Sequence, residues 1–293
     1  MKPIFFYSRI RFSWGFIVRI PGVTAAQPAL SLPPPTTVVG AFSNPIIEAL
    51  KPVKEGDVKK RAKTLYPIFD CILKSSLAAG FALAREDEGA TGIAVVKESS
   101  RIIGSPYKTG GEETSKIRKA KLGSSEFLDA LGSMLPVQAI GVAYAPAALA
   151  DIAWVADAEK LAKCLKLDLK ELYGDIGLIA TWGVSRIGSK EGMVAVLNGY
   201  HGYPEELEIG AIFKSRMYVP VDCVEPKDQS ISELTLWDLD YRWKKYYVPF
   251  IASESIVYPS DPVSYRLVNE ICRAFKVPGR EDVVVVSDVG GPR

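Results

Sequence analysis

Near the start of the chain, from Ile10 onward, apolar positions repeat every second residue. From Ile10 the even positions are Ile10, Phe12, Trp14, Phe16, Val18 and Ile20, while the odd positions include Arg9, Arg11, Ser13 and Arg19. A period of two predicts a strand with one apolar and one basic face. Residues 30–44 then read LSLPPPTTVVGAFSN. Each proline lacks a backbone donor and has a fixed φ, so three in a row predict a stiff extended run ending at Pro35. Thr36 suits a helix N-cap, and Val38, Val39, Phe42 and Ile46 follow at helical spacing. Such a corner would deliver a helix N-terminus, which is a natural anion site.

Further along, residues 57–86 read as an apolar helix interrupted at Pro67, and Gly92–Lys97 as a strand. A second strand, VQAIGVAYA, follows Pro136. Leu161, Leu165, Leu169 and Leu172 give residues 157–173 a helical period. Strands are expected near 177–184, 193–197, 209–219 and 246–257, then a last helix near 262–275 and a strand at 283–286. Helices and strands mix without strict alternation, which favours α+β over a doubly wound sheet. Residues 99–125 interrupt this pattern with a polar, glycine-bearing, basic stretch that has too little apolar surface to build core. A long excursion of that kind is usually functional.

The basic strand, the proline approach and Pro35-Thr36-x-x-x-Gly40 together resemble the N-terminus of one family. This is the fifth family of CRISPR-associated proteins, in the RAMP superfamily: the subunit that caps the 5′ handle of crRNA in type I Cascade. SRIGSKEGMVAV, residues 185–196, is similar to the archaeal type I-A branch. The resemblance implies a ferredoxin-like (RRM/RAMP) core across residues 1–293, a long β-hairpin thumb inserted at 99–125 and an elaborated C-terminal part at 200–293. Gly110-Gly111 could form the thumb tip. It also implies a non-catalytic subunit, because in type I-A the endonuclease is a separate protein. The partners it implies are the crRNA 5′ handle, the Cascade backbone subunit, the Cascade large subunit and, through the complex, target DNA, all in antiviral defence.

Charge sharpens this picture. The chain carries 36 Lys+Arg against 34 Asp+Glu, a net +2, too little for a generic nucleic-acid coat. The distribution is uneven. No acidic residue precedes Glu48, and basic residues gather in 51–63, 97–121 and 242–245, while acidic ones gather between Glu205 and Asp240. One cationic and one acidic face would suit a subunit touching both a polyanion and a protein. Solvated helix faces are the plainer alternative.

The candidate RNA contacts fall in four groups. Arg9, Arg11 and Ser13 lie on the basic face of the first strand, where a ferredoxin-like binder meets RNA. Thr36 and Thr37 lie at the proline corner. Tyr107, Lys108, Lys116, Arg118, Lys119 and Lys121 combine one aromatic with five cations in the insertion, as suits single-stranded RNA. Arg186, Ser189 and Lys190 could present donors to phosphates on a turn. That turn is not a P-loop, since its order is Gly-Ser-Lys and a strand follows. Trp14 is expected in the core.

The lone histidine, His201, sits in NGYHGYP. Metal-independent cleavage of repeat RNA would have to use it or a Tyr/Lys set, and that endoribonuclease is the alternative reading. The four cysteines, Cys71, Cys164, Cys223 and Cys272, form no CxxC pair. Zinc is therefore not expected, and buried free thiols in a reducing cytoplasm are. No cofactor is expected. No apolar run reaches the roughly 20 residues of a membrane span, and early arginines argue against a signal peptide. Three Asn and three Gln fit a thermophilic source.

Overall fold

The computed structural model describes residues 2–18, 30–50, 58–84, 95–103, 119–134, 137–189, 192–227, 231–252 and 256–288. It is a mixed architecture, mostly strands in several antiparallel sheets, with few helices. The central sheet has four strands in the order β3-β6-β1-β7. These are β1 (Pro3–Phe12), β3 (Ser76–Ala84), β6 (Leu149–Asp157) and β7 (Val194–Gly202). Two helices, α1 (Pro35–Leu50) and α2 (Val58–Ser75), lie between β1 and β3 in sequence. β4 (Val95–Ile103), α3 (Ser125–Met134) and β5 (Val137–Tyr144) separate β3 from β6. The helix α4 (Ala158–Leu165) and a bent helical stretch ending at Gly177–Trp182 connect β6 to β7.

β1 carries the fold because both of its faces are covered. Ile4, Phe6, Ile10 and Phe12 enter the larger core with Val38, Val39 and Phe42 of α1. Phe6 stacks on Trp154 of β6 with centroids 4.6 Å apart. Phe5 and Tyr7 enter a second core with Phe275, Val277, Val283 and Val285. A strand buried on both faces reads as continuously apolar, so the alternation becomes visible only from Ile10, where the second cover ends. The expected long strand breaks after Phe12. Gly15, at φ +149° and with no room for a Cβ against the Ala143 carbonyl, lets the chain turn into β2 (Gly15–Phe16), which joins β5 in another sheet.

Several expectations are corrected. Residues 76–84 are a strand rather than the end of a helix, and β6 runs through LADIAWVAD, which had no predicted element. Both strands are buried along their whole length, and such short apolar runs cannot be told from helix by period. Gly177–Trp182 is helical, not extended. The expected C-terminal helix at 262–275 is replaced by β16 (Val263–Leu267) and β17 (Arg273–Lys276). Val263, Tyr265 and Leu267 are buried while Arg266 is exposed, a strand period. β17 pairs with β18 (Val284–Ser287) and β8 (Glu205–Leu207), and this small sheet supplies the second core over β1.

The cysteines are not free. Cys71 bonds Cys164, tying α2 to α4, and Cys223 bonds Cys272. Their Cα pairs stand 5.8 and 5.7 Å apart, within the range a disulfide spans. Partners 93 and 49 residues apart in sequence meet only through the fold. No helix among the described residues is long and apolar enough to cross a membrane.

Candidate nucleic-acid interface

The odd positions of β1 change character along the strand. Phe5 and Tyr7 are wholly buried, Arg9 is partly exposed, and Arg11 and Ser13 are exposed. Arg9 faces Asp151 on β6 and grips both carboxylate oxygens, Nε at 2.9 Å and Nη2 at 3.0 Å. Asp151 has no exposed surface. It also accepts the Tyr7 hydroxyl at 2.6 Å and Arg216 Nη1 at 3.3 Å. Arg216 pairs in turn with Asp282, and the Arg280 guanidinium lies 4.7 Å over the Tyr7 ring. Burial, followed by the nearby Asp151 charge, pushes the Tyr7 phenol well above its usual range. The hydrogen bonds that Arg9 donates to Asp151 hold it firmly protonated. Arg9 therefore spends its Nε and Nη2 on a buried carboxylate while staying partly exposed, whereas Arg11 and Ser13 face solvent. Trp14 is half-buried, packing on Tyr144 at 5.7 Å rather than deep in the core.

The Ser185–Met193 segment is stitched to this end of β1. Arg186 bridges Met193, and the Ile187 and Val194 amides donate to the Gly192 and Ser185 carbonyls. The tight turn uses Gly188 at φ +73°. The Ser189 amide donates to the Ile17 carbonyl at 2.9 Å, and the Ser13 amide to the Met193 carbonyl at 3.0 Å. Arg186 is exposed and donates to Asn44 of α1 at 2.9 Å. The Ser189 hydroxyl is buried. Lys190 lies outside the described residues. The fold thus brings Arg11, Ser13 and the Arg186–Ser189 turn to one end of the central sheet, although more than 170 residues separate them in sequence.

The proline corner is built differently. Pro34, not Pro35, ends the extended run and takes the cap position expected of Thr36, its carbonyl accepting the Thr37 and Val38 amides at 2.9 and 3.2 Å. Pro35 is the first helical residue, a position that needs no N–H. Thr36 is buried, and its hydroxyl accepts the Trp237 indole N–H at 2.7 Å. The buried Tyr218 hydroxyl donates to the Pro33 carbonyl at 3.3 Å. At this helix start the Thr37 and Val38 amides are bound within the chain, and the Thr36 side chain is covered by the C-terminal half. Thr37 is partly exposed.

In the insertion, Tyr107, Lys108, Lys116, Arg118 and the Gly110-Gly111 tip lie outside the described residues. β4 and β5 pair antiparallel from Val96–Tyr144 to Ile103–Val137, so they bracket it. Lys119 and Lys121 are exposed on the turn before α3. Much of the expected acidic face is neutralised from within the same region, although Glu208 and Asp222 stay exposed. Glu205 pairs with Lys276, Glu206 with Arg273, Glu233 with Lys245, and Asp238 with Lys244. The 242–245 cations are absorbed in the same pairs, with Arg242 held by Asp240. His201 is half-buried opposite Phe6, packed beside Gly177, and burial holds its imidazole below the usual range. Among the described residues no group of three or more His, Cys, Asp or Glu could hold a metal.

Asp151, Arg216 and Arg280 were not singled out from the sequence. Asp151 left a trace, as the sole charge inside the apolar run of β6. Arg216 and Arg280 left none, since each sits in an ordinary loop and acquires meaning only by packing over β1.

No family model matches the chain, and no curated protein matches it. A solved structure described as a CRISPR protein from Archaeoglobus fulgidus is similar over 97% of this chain and 98% of its own, with 20% identity and a TM-score of 0.52. That likeness is one of fold. A Csm1-Csm4 cassette in complex with one ATP aligns over 91% of this chain and 99% of its own at 11% identity, with a TM-score of 0.24.

Proposed function

We propose that this chain is a non-catalytic RNA-binding subunit of a CRISPR type I-A Cascade complex. It binds the 5′ handle of crRNA and caps the backbone filament, on a ferredoxin-like RAMP core. One observation carries the reading: strand–helix–strand, strand–helix–strand connectivity in the order β7-β1-β6-β3, with Arg11, Ser13 and the Arg186–Ser189 turn together at the open end of β1. An open sheet end lined by arginine and hydroxyl donors suits phosphate and 2′-hydroxyl contacts. The fold-level likeness to a CRISPR protein lends support. In this reading the β4–β5 excursion folds over the RNA and meets the backbone subunit. The large subunit docks on the same complex, through which target DNA is reached.

The test is binding of labelled crRNA with and without its 5′ handle, by the chain together with its backbone subunit, in the absence of magnesium. Handle-dependent binding of intact RNA is the expected result. Cleavage of the RNA, lost in His201→Ala, would replace this reading with the endoribonuclease. Indifference to the handle would sink the capping role.

A further inference from the structure

We infer that Arg9, Arg216 and Arg280 form a phosphate-binding site where the C-terminal sheet meets the central sheet. The inference deepens the RNA-binding reading and takes its ligand source from it. Three guanidinium groups gather around two carboxylates, Asp151 and Asp282, which leaves a surplus of one positive charge. Asp151 cannot absorb it. Its two oxygens already accept from Tyr7, twice from Arg9 and once from Arg216, which is about the capacity of a carboxylate. Arg280 rests on the Tyr7 ring and makes no ion pair among the described residues. Arg216 Nε is buried with no hydrogen-bond partner, a costly state for a charged donor.

The side chains of Arg9 and Arg216 are 24% and 23% exposed, and Arg280 is partly exposed, so a ligand oxygen can reach the cluster from solvent. One phosphodiester carries a single negative charge, which matches the surplus. Planar guanidinium forks suit its oxygens. Arg11, exposed two residues along β1 from Arg9, continues the track toward the Arg186–Ser189 turn. A phosphate held here bridges β1, the residue after β9 (Ile212–Ser215) and the β17–β18 turn, fastening the C-terminal sheet to the central one.

Two measurements on the full chain test this. The first is binding of a labelled single-stranded RNA across a KCl series by wild type, Arg280→Ala, Arg280→Lys and Arg216→Lys. The expected result is weaker binding by Arg280→Ala with its log–log salt slope reduced by about 0.7, whereas Arg280→Lys, which keeps the charge but not the planar fork, keeps the slope and binds more weakly than wild type. The second is thermal unfolding with inorganic phosphate against chloride at equal ionic strength. Phosphate should raise the midpoint of wild type and not of Arg280→Ala. If wild type binds no RNA but shows the Arg280-dependent phosphate shift, the site stands and the RNA reading falls. If RNA binds and Arg280→Ala, folded by circular dichroism, keeps both the slope and the phosphate response, the site is overturned and the RNA reading survives.

Discussion

The proline corner and the open end of β1 stand close in sequence yet meet opposite fates. Both carry polar residues that suit phosphate binding, Thr36 and Thr37 in one, Arg11 and Ser13 in the other. At the corner the C-terminal half closes over the polar groups: Trp237 takes the Thr36 hydroxyl and Tyr218 the Pro33 carbonyl. At the strand end the cover stops short, so Phe5 and Tyr7 are core while Arg11 and Ser13 meet solvent. A residue type suited to a ligand becomes available to one only where packing stops. The cluster around Asp151 marks that boundary.

The sharpest way to break the comparison is at the boundary itself. Asp151→Ala leaves Arg9 and Arg216 without their buried carboxylate and should cost about 3–5 kcal/mol, read by urea unfolding. A loss below about 1 kcal/mol would mean that the cluster is solvated and not a junction. Thr36→Val should cost about 1–3 kcal/mol, because it strands the buried Trp237 indole N–H, while the salt slope for RNA stays unchanged. A changed slope with unchanged stability would return the corner to the ligand. Arg11→Ala should do the reverse, leaving stability within about 0.5 kcal/mol and lowering the salt slope by about 0.7.

The smallest effect is at His201. Its imidazole is depressed in the fold by burial, so the folded chain binds fewer protons than the unfolded one just below pH ~6.5. Stability is therefore present above that pH and declines slightly as pH falls through it. Unfolding of wild type and His201→Gln at pH 7.5 and 5.5 should show the decline only in wild type.

How much of this was legible follows from what each signal depends on. The alternation from Ile10 and the helix after Pro35 were readable because they arise within a few residues, from side-chain period and proline's fixed φ. The strands at 76–84 and 149–157 were not, because burial on both faces erases the period that names a strand. The Ser185–Met193 turn was legible as a turn, but its place beside Ser13 was not.

By itself the sequence determined the local geometry: a stiff corner, a basic strand end, a glycine turn at 188 and four widely spaced cysteines. Only the tertiary structure decided which cysteines pair, that much of the acidic stretch spends its charge on nearby lysines and arginines, and that Arg216 and Arg280 converge on Tyr7 and Asp151. The reason is physical. Chain period and dihedral preference act between near neighbours, whereas ion pairing, disulfide formation and burial depend on distances that exist only once remote strands share a sheet.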